Sequence, residues 1–295
     1  MKTHFECIPC ILRQTIETAR LATANVKLQK EAINRILLYL TQIDYNVPPP
    51  ALGRDVYGII HRVTGNDDPY KELKQKYNAL GLAHYDELLR IVFKSSDPVM
   101  TAAKLAVVGN IIDFGAQSQE QVNIKESIRN ISQMDFAIND FNRFIRDLKQ
   151  ARSVLYIADN AGEIVFDRLF IEILQRYYPE LGLEFNVAVR GAPIINDATI
   201  EDTQMVGLDK IATIIENGDN APATLLDRVS SKMKRAFESA DIIIAKGMGN
   251  YETLDDRPEL IYYLLKVKCN LVGRSIGANI GSLVFKRNER AKKNA

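Results

Sequence analysis

The sequence predicts an α/β protein in which an all-helical N-terminal region is followed by a doubly wound, mainly parallel, Rossmann-like sheet (α/β/α). Two observations predict this fold. Residues 11 to about 148 carry helical patterns, whereas short β-rich runs alternate with helical stretches from Ser153 onward. The stretches between the runs are long enough for right-handed crossovers between parallel strands. We therefore expect a helical domain at 1–149 and an α/β domain at 150–295.

The clearest helix of the N-terminal region lies between Leu28 and Ile43, where apolar residues recur at spacings of three and four and form one stripe. Three prolines, Pro48 to Pro50, then interrupt the helical pattern, because proline lacks an amide donor. Further helices are predicted at about 51–64, 70–79, 85–94, 98–114, 119–131 and 138–149.

The predicted strands are SVLYIAD, EFNVAVR, KIATIIEN, DIIIAK and IYYLLKV. Helical stretches at Glu163 to Tyr178 and Leu226 to Ser239 are expected to connect some of them. In a doubly wound parallel sheet, ligands bind beyond the carboxyl ends of the strands, where the connecting loops converge. The loops that follow the strands are therefore the place to search for a site.

Composition narrows the classes of function. The chain has 295 residues, of which 46% are hydrophobic and 25% are charged, and its net charge of +1 gives no bulk attraction to nucleic acid or to an anionic membrane. The sequence contains no uninterrupted apolar run of about 18 residues, and its N-terminus lacks the pattern of a signal peptide. We expect a cytoplasmic protein without a nucleic-acid or membrane partner.

Four successive predicted strands end in loops that combine small residues with Asp, Asn, Lys or Arg. Asp159, Asn160 and Asp197 supply hard oxygen ligands of the kind that Mg²⁺ or Mn²⁺ prefers. Arg190 and Lys246 supply fixed positive charge that suits a phosphate. The pattern predicts that a divalent metal and a phosphoryl group share one cleft. The four loops lie at 159–163, 190–199, 217–224 and 246–252.

The same residues also have a simpler interpretation. Asp and Asn commonly accept the free amides of a helix's first turn, where Glu163 is favourable too, so the first loop could be a helix cap. Lys246 and Arg190 could be solvated strand ends. The first strand and its helix are not joined by GxGxxG, and the chain has no GxxxxGK[ST] loop, which disfavours a dinucleotide enzyme and a nucleotide triphosphatase.

Three motifs in order resemble a known family. DNAGE at 159–163, RGAPIINDAT at 190–199 and KGMGNYE at 246–252 are similar to the family once called domain of unknown function 89, whose members include metal-dependent damage-control phosphatases. CIPC near the start and VGNIIDFG at 108–115 extend the likeness to nearly the whole chain. They also fit the branch of the family that carries an N-terminal CxxC.

The resemblance implies a phosphatase that hydrolyses small phosphate monoesters, such as sugar phosphates or damaged phosphometabolites, with a divalent metal ion (Mg, Mn, Co or Ni). It implies that Asp159, Asn160 and Asp197 are the metal ligands. Asp159 or Asp197 then attacks phosphorus or orients a metal-bound water, and the sequence leaves both roles open. The expected partner is a small-molecule phosphate ester.

The resemblance also implies that Lys246, with Asn250 and Glu252 nearby, belongs to the phosphate or substrate pocket. Arg190 stands where many relatives carry lysine, so the charge is kept while the geometry at the phosphate differs. Asn110 and Asp113 are three residues apart and share a face if that segment is a helix. This spacing also fits a polar helix edge, but the family likeness favours a site role. Glu163 and Asp219 complete the predicted substrate-binding set.

The three cysteines, Cys7, Cys10 and Cys269, are predicted to be thiols. His4, Cys7 and Cys10 are spaced H-x2-C-x2-C, but a structural zinc site needs four recognisable ligands, which one distant cysteine does not establish. Zinc binding, redox chemistry and plain packing of the thiols are the alternatives, and packing is favoured.

Two other functions fit part of the pattern. One is a binding protein that senses a phosphometabolite in the same cleft without turnover. The other is an S-adenosylmethionine-dependent carboxyl methyltransferase, an activity also proposed for relatives of the family. The first loop, Asp159 to Gly162, has a single glycine instead of the usual glycine-rich turn, which disfavours the methyltransferase.

Overall fold

Helices fill the N-terminal part of the computed structural model, which describes residues 1–109 and 134–289. This confirms the helical prediction up to residue 109. The predicted segments at 110–114 and 119–131 lie outside the described residues. The helices are α1 (Cys7–Ala22), α2 (Val26–Leu40), α3 (Pro49–Thr64), α4 (Lys71–Ala83), α5 (Tyr85–Lys94) and α6 (Pro98–Val108).

Local sequence explains where two of these helices begin. Pro49 and Pro50 occupy the first positions of α3, where a missing amide costs nothing because that amide has no partner within the helix. The prolines that interrupt the chain after α2 therefore start α3. Asp97 caps α6, since its side chain accepts a hydrogen bond of 3.0 Å from the amide of Met100.

Strands and helices alternate in the second part of the chain, as predicted. The strands are β1 (Phe136–Asn139), β2 (Ser153–Ile157), β3 (Glu184–Val189), β4 (Thr213–Glu216), β5 (Ile242–Lys246), β6 (Ile261–Lys266) and β7 (Leu283–Arg287). The helices are α7 (Phe141–Leu148), α8 (Glu163–Tyr177), α9 (Ile200–Val206), α10 (Ser231–Ser239), α11 (Gly247–Leu254) and α12 (Asn270–Ile276).

The strands form one sheet in the order β1-β7-β6-β5-β2-β3-β4. Strands β6, β5, β2, β3 and β4 run parallel to one another, and they are the five that the sequence predicts. Strand β7 runs antiparallel to β6, and β1 runs parallel to β7. The predicted helix at 138–149 is wrong at its start, because Phe136–Asn139 is a strand and the helix begins at Phe141.

Buried side chains cover both faces of the sheet. Val154 and Tyr156 of β2 belong to a core that also includes residues of α5, α6 and α8, whereas Leu155 and Ile157 belong to a second core with residues of α10, α11 and α12. This alternation follows from the period of two along a strand. The mainly parallel α/β fold with helices on both faces is thereby confirmed.

A third apolar cluster lies among α1, α2 and α3 and includes Ile194, which is fully buried. Ile194 belongs to the loop between β3 and α9, so this loop lies between the sheet and the N-terminal helices. The helical region therefore forms one wall of the space beyond the strand ends. Among the described helices, none is long and apolar enough to cross a membrane.

Candidate active site

The loops after β2 and β3 meet beyond the carboxyl ends of these neighbouring strands. Asn160 and Asp197 form an isolated antiparallel bridge. The amide of Ala161 donates to Asn196 O at 2.8 Å, and the amide of Ala198 donates to Asp159 O at the same distance. The backbone therefore brings together the three predicted metal ligands, which line a cavity of about 610 Å³ with Glu163.

Asp159, Asn160 and Glu163 form a compact polar group in this cavity. Asn160 Nδ2 donates to Asp159 Oδ2 at 3.0 Å and to Glu163 Oε2 at 3.2 Å. Because the amide nitrogen faces both carboxylates, the amide oxygen is left as a ligand atom for a cation. Gly162 is the N-cap of α8 and has no side chain to cap it. The helix-cap interpretation of Asp159 and Asn160 is therefore not what the structure shows.

The carboxyl groups of Glu163 and Asp197 act on Asp159. Burial, followed by the carboxylates of Glu163 and Asp197, raises the pKa of Asp159 from 3.8 to about 8. Arg190 and Lys268 act in the opposite direction. A group of carboxylates that resists ionisation in this way favours the binding of a cation.

Arg190 is almost fully buried and contacts both loops that carry the predicted metal ligands. Its Nε donates to Asp197 Oδ2 at 2.6 Å, and its Nη2 lies 4.0 Å from Asp159 Oδ1. Burial raises the pKa of Asp197, while the charge of Arg190 lowers it. Within the described residues, Arg190 Nη2 has no hydrogen-bond partner. The guanidinium thus orients Asp197 and faces Asp159.

Lys246, predicted to contact phosphate, is fully buried behind Glu163. Its Nζ donates to Asp167 Oδ1 at 2.5 Å and lies 3.9 Å from Glu163 Oε1. The hydroxyl of Tyr156 donates to the same oxygen of Asp167 at 2.7 Å. Lys246 therefore supplies positive charge from beneath the floor of the cavity.

The lysines that line the cavity, among the residues that the structure describes, are Lys266 and Lys268. Sequence reasoning missed them, although they end IYYLLKVK, the strand-end segment that it left without a site. Burial and the charge of Lys268 lower the pKa of Lys266. Lys268 lowers the pKa of Asp159, so its charge acts on that carboxylate.

Two further predicted substrate residues have structural contacts instead of a place in the cavity wall. Asn250 is fully buried on α11, and its Nδ2 donates to Lys246 O at 2.7 Å. Asp219 Oδ1 lies 3.3 Å from Arg54 Nε and 3.6 Å from Arg228 Nε. Asn110 and Asp113 lie outside the described residues.

The glycine at the start of α11 allows this helix to approach Asp159. Gly247 has a φ of +78°, and a Cβ built on it would lie 1.9 Å from Asp159 Oδ2. A side chain at position 247 would therefore occupy the space of the carboxylate. The KGMG motif serves close approach of backbone to the acidic group.

The three cysteines are free thiols that line the same cavity. Burial raises the pKa values of Cys7 and Cys10. In residues 1–109 and 134–289, no group of three or more His, Cys, Asp or Glu side chains is arranged to hold a metal ion. A cation among Asp159, Asn160 and Asp197 therefore requires the amide oxygen together with oxygens from substrate or water.

Comparison with known proteins places the chain in a family. The family described as damage-control phosphatase ARMT1-like domain matches residues 3–284. A damage-control phosphatase of Archaeoglobus fulgidus is 35% identical, over 97% of this chain and 99% of the relative. An uncharacterized protein of Methanocaldococcus jannaschii is 36% identical, over 97% of this chain and 95% of the relative.

A damage-control phosphatase of Pyrococcus horikoshii is 33% identical, over 98% of this chain and 99% of the relative. The crystal structure of a DUF89 family protein from the same organism superposes with a TM-score of 0.90, at 33% identity, and covers 98% of this chain and 100% of that one. The resemblance found in the three motifs is confirmed, while the CxxC branch stays a prediction. The chain belongs to the family of damage-control phosphatases with an ARMT1-like domain, the DUF89 family.

Proposed function

We propose that this chain is a metal-dependent phosphatase that hydrolyses small phosphate monoesters, either sugar phosphates or damaged phosphometabolites. One observation carries the proposal: Asp159, Asn160 and Asp197 converge in a cavity beyond the ends of two parallel strands. The two relatives named damage-control phosphatases support the reaction class. The partner is a small phosphate ester, and the cytoplasmic location stays a prediction from sequence.

The residues fit a divalent cation such as Mg²⁺, Mn²⁺, Co²⁺ or Ni²⁺. Two carboxylates and one amide oxygen are hard ligands, and the raised pKa of Asp159 shows that its ionised form lacks a compensating charge, which a cation would supply. Gly247 leaves the space that the Asp159 carboxylate needs. When bound, the cation would draw charge from the phosphoryl oxygens.

Asp159 and Asp197 differ in their surroundings. Asp197 is held by Arg190 through a hydrogen bond of 2.6 Å, which fixes its orientation. Asp159 accepts from Asn160, and the Arg190 guanidinium stays 4.0 Å away from it, which favours Asp159 as the group that takes a proton from the attacking water. Direct attack on phosphorus by either carboxylate is the alternative.

Two sets of cationic side chains act on the cavity, one in its wall and one buried behind it. Lys266 and Lys268 line the cavity, so we assign them to the negatively charged group of the substrate. Arg190 and Lys246 act from behind, through Asp197 and Glu163. Stabilisation of a phosphoryl group depends mainly on such fixed charges and on positioning.

The test begins with the metal content of the purified protein, followed by phosphate release from a panel of sugar phosphates with added Mn²⁺, Co²⁺ or Mg²⁺. We expect metal-dependent release that is lost in Asp159→Ala. Asp209→Ala is the control, because Asp209 is exposed and lies outside the cavity. Tight binding of esters without release would support the phosphometabolite sensor, and methyl transfer from S-adenosylmethionine would support the methyltransferase.

A further inference from the structure

A buried asparagine of the helical region contacts both loops of the candidate site. Asn78 lies on α4 and is fully buried. Its Oδ1 accepts a hydrogen bond of 2.7 Å from the amide of Gly162, and its Nδ2 donates one of 2.7 Å to Asp202 Oδ1. One carboxamide thus joins two segments that are 40 residues apart in sequence.

The first contact fixes the loop after β2. Gly162 lies two residues after Asn160 and has a φ of +79°, a conformation that glycine adopts readily. Its amide lies at the N-terminus of α8, where amides have no partner within the helix. Asn78 supplies that partner from another helix, so it holds the backbone beside the ligands Asp159 and Asn160.

The second contact fixes the loop after β3. Asp202 Oδ2 accepts from the amide of Thr199 at 2.8 Å and from its hydroxyl at 2.9 Å. The bond from the Thr199 amide is one half of the capping box of α9, and the Asp202 amide donates to the Thr199 side chain in the other half. Thr199 follows Asp197 by two residues. Lys74 lies one helical turn before Asn78, and its Nζ is 4.0 Å from Asp202 Oδ2 and 2.9 Å from Asp68 Oδ2.

Backbone bonds join the two loops on the cavity side, at Asn160 and Asp197, and Asn78 joins them from behind. We propose that Asn78 is a positioning residue for the cation site: its carboxamide fixes the spacing between the carboxylates of Asp159 and Asp197. This inference rests on the proposed metal-dependent function. Asn78 does not contact the cation or the substrate in this role, and it acts through Gly162 and Asp202.

The experiment is calorimetric titration of the purified full chain with Mn²⁺, together with its melting temperature in EDTA. Removal of groups that orient metal ligands commonly weakens metal affinity by about 10–100-fold, and we expect a loss in this range for Asn78→Ala. Tyr85→Phe is the matched control. It removes a hydrogen bond of 2.6 Å from α5 to Glu172, which lies nine residues after the start of α8 at Glu163, and should leave Mn²⁺ affinity unchanged.

A double variant in which the carboxamide of Asn78 and the carboxylate of Asp202 change places tests whether this hydrogen bond, and not general packing, sets the Mn²⁺ affinity. Asn78→Asp alone places two carboxylates in contact and should weaken Mn²⁺ binding strongly. The double variant Asn78→Asp with Asp202→Asn restores one donor and one acceptor, and it should recover most of the affinity. If Asn78→Ala does not fold, the difference in Mn²⁺ affinity between Asn78→Asp and the double variant tests the positioning role.

The outcomes distinguish failure of the positioning role of Asn78 from failure of the proposed metal-dependent function. Mn²⁺ bound by the wild-type chain and equally well by a folded Asn78→Ala variant would overturn the positioning role alone. The same holds if the double variant binds no better than Asn78→Asp. A wild-type chain that binds no divalent cation and releases no phosphate would overturn the proposed function, and the role of Asn78 with it.

Discussion

At the scale of single residues, the Asp159 carboxylate occupies an unfavourable position when no cation is bound. Its pKa rises from 3.8 to about 8 in the folded chain, because it is buried beside Glu163 and Asp197. A carboxyl group with a raised folded pKa binds its proton more tightly when folded. Its contribution to stability is therefore fully present below pH 3.8 and is lost as the pH rises toward 8.

We expect Asp159→Asn to abolish phosphate release while it raises the melting temperature of the metal-free protein. The amide keeps the size of the carboxylate and removes the repelled charge. A gain on the order of 1 kcal/mol would raise the melting temperature by about 2–4 °C in a large domain. The measurement is thermal unfolding in EDTA at pH 5 and pH 8, and the advantage of the variant should be larger at pH 8. An equal advantage at both pH values would contradict the assigned cause.

Lys246 is buried and Lys268 is exposed, so we expect their substitution to change different properties. Lys246→Ala leaves Asp167 buried without its cation, which should destabilise the chain by about 3–5 kcal/mol. Lys268 is exposed, so Lys268→Ala should change stability by less than about 0.5 kcal/mol and should raise KM for the phosphate ester. Urea unfolding and steady-state kinetics measure both. A stable Lys246→Ala variant with raised KM would show that Lys246 contacts the substrate instead.

The sequence predicts the acidic part of the site better than its cations. Asp159 and Asp197 follow neighbouring parallel strands, so their convergence follows from topology. The direction in which the Lys246 side chain points depends on the face of β5 on which it lies. It shares the period-two face of Ile242 and Ile244, which belong to the same core as α8, and this places it against Asp167. Residue type and loop position alone do not contain that information.

At the scale of elements, the sequence predicts the five parallel strands but misses the two at one edge of the sheet. Strand β1 has only four residues and directly precedes α7, so its pattern merges with that of the helix. Strand β7 follows α12 closely and pairs antiparallel with β6. The segment between β6 and β7 contains the helix α12, so the antiparallel pairing is not marked by the tight turn that can join antiparallel neighbours.

Substitution of Gly247, at the start of α11, tests whether this helix must lie close to Asp159. Gly247→Ala introduces a Cβ at 1.9 Å from Asp159 Oδ2 and should abolish Mn²⁺ binding and phosphate release. Gly277→Ala is the matched control, since Gly277 has a similar φ of +83° but no atom within 4 Å of the added Cβ. Both variants should lose about 1–2 kcal/mol of stability from backbone strain. Activity retained in Gly247→Ala would show that the helix can move away from Asp159.

At the scale of the whole molecule, the helical region and the sheet share one core. Leu88 of α5 and Leu105 of α6 belong to the same buried cluster as Val154 of β2 and Leu169 of α8. The helical region also supplies Asn78 to both site loops. The division into 1–149 and 150–295 stays a prediction from sequence pattern, and this packing argues that the two ranges unfold together.

We therefore expect a single calorimetric transition for the metal-free chain. Leu105→Ala removes a fully buried side chain from the shared core and should cost about 2–5 kcal/mol. Because Leu105 packs with residues of both ranges, the variant should shift the whole transition to lower temperature. Ile36→Ala, in the separate cluster of α1 to α3, tests whether those helices belong to the same cooperative unit. Two transitions, of which Leu105→Ala shifts only one, would instead support separately folding domains at 1–149 and 150–295.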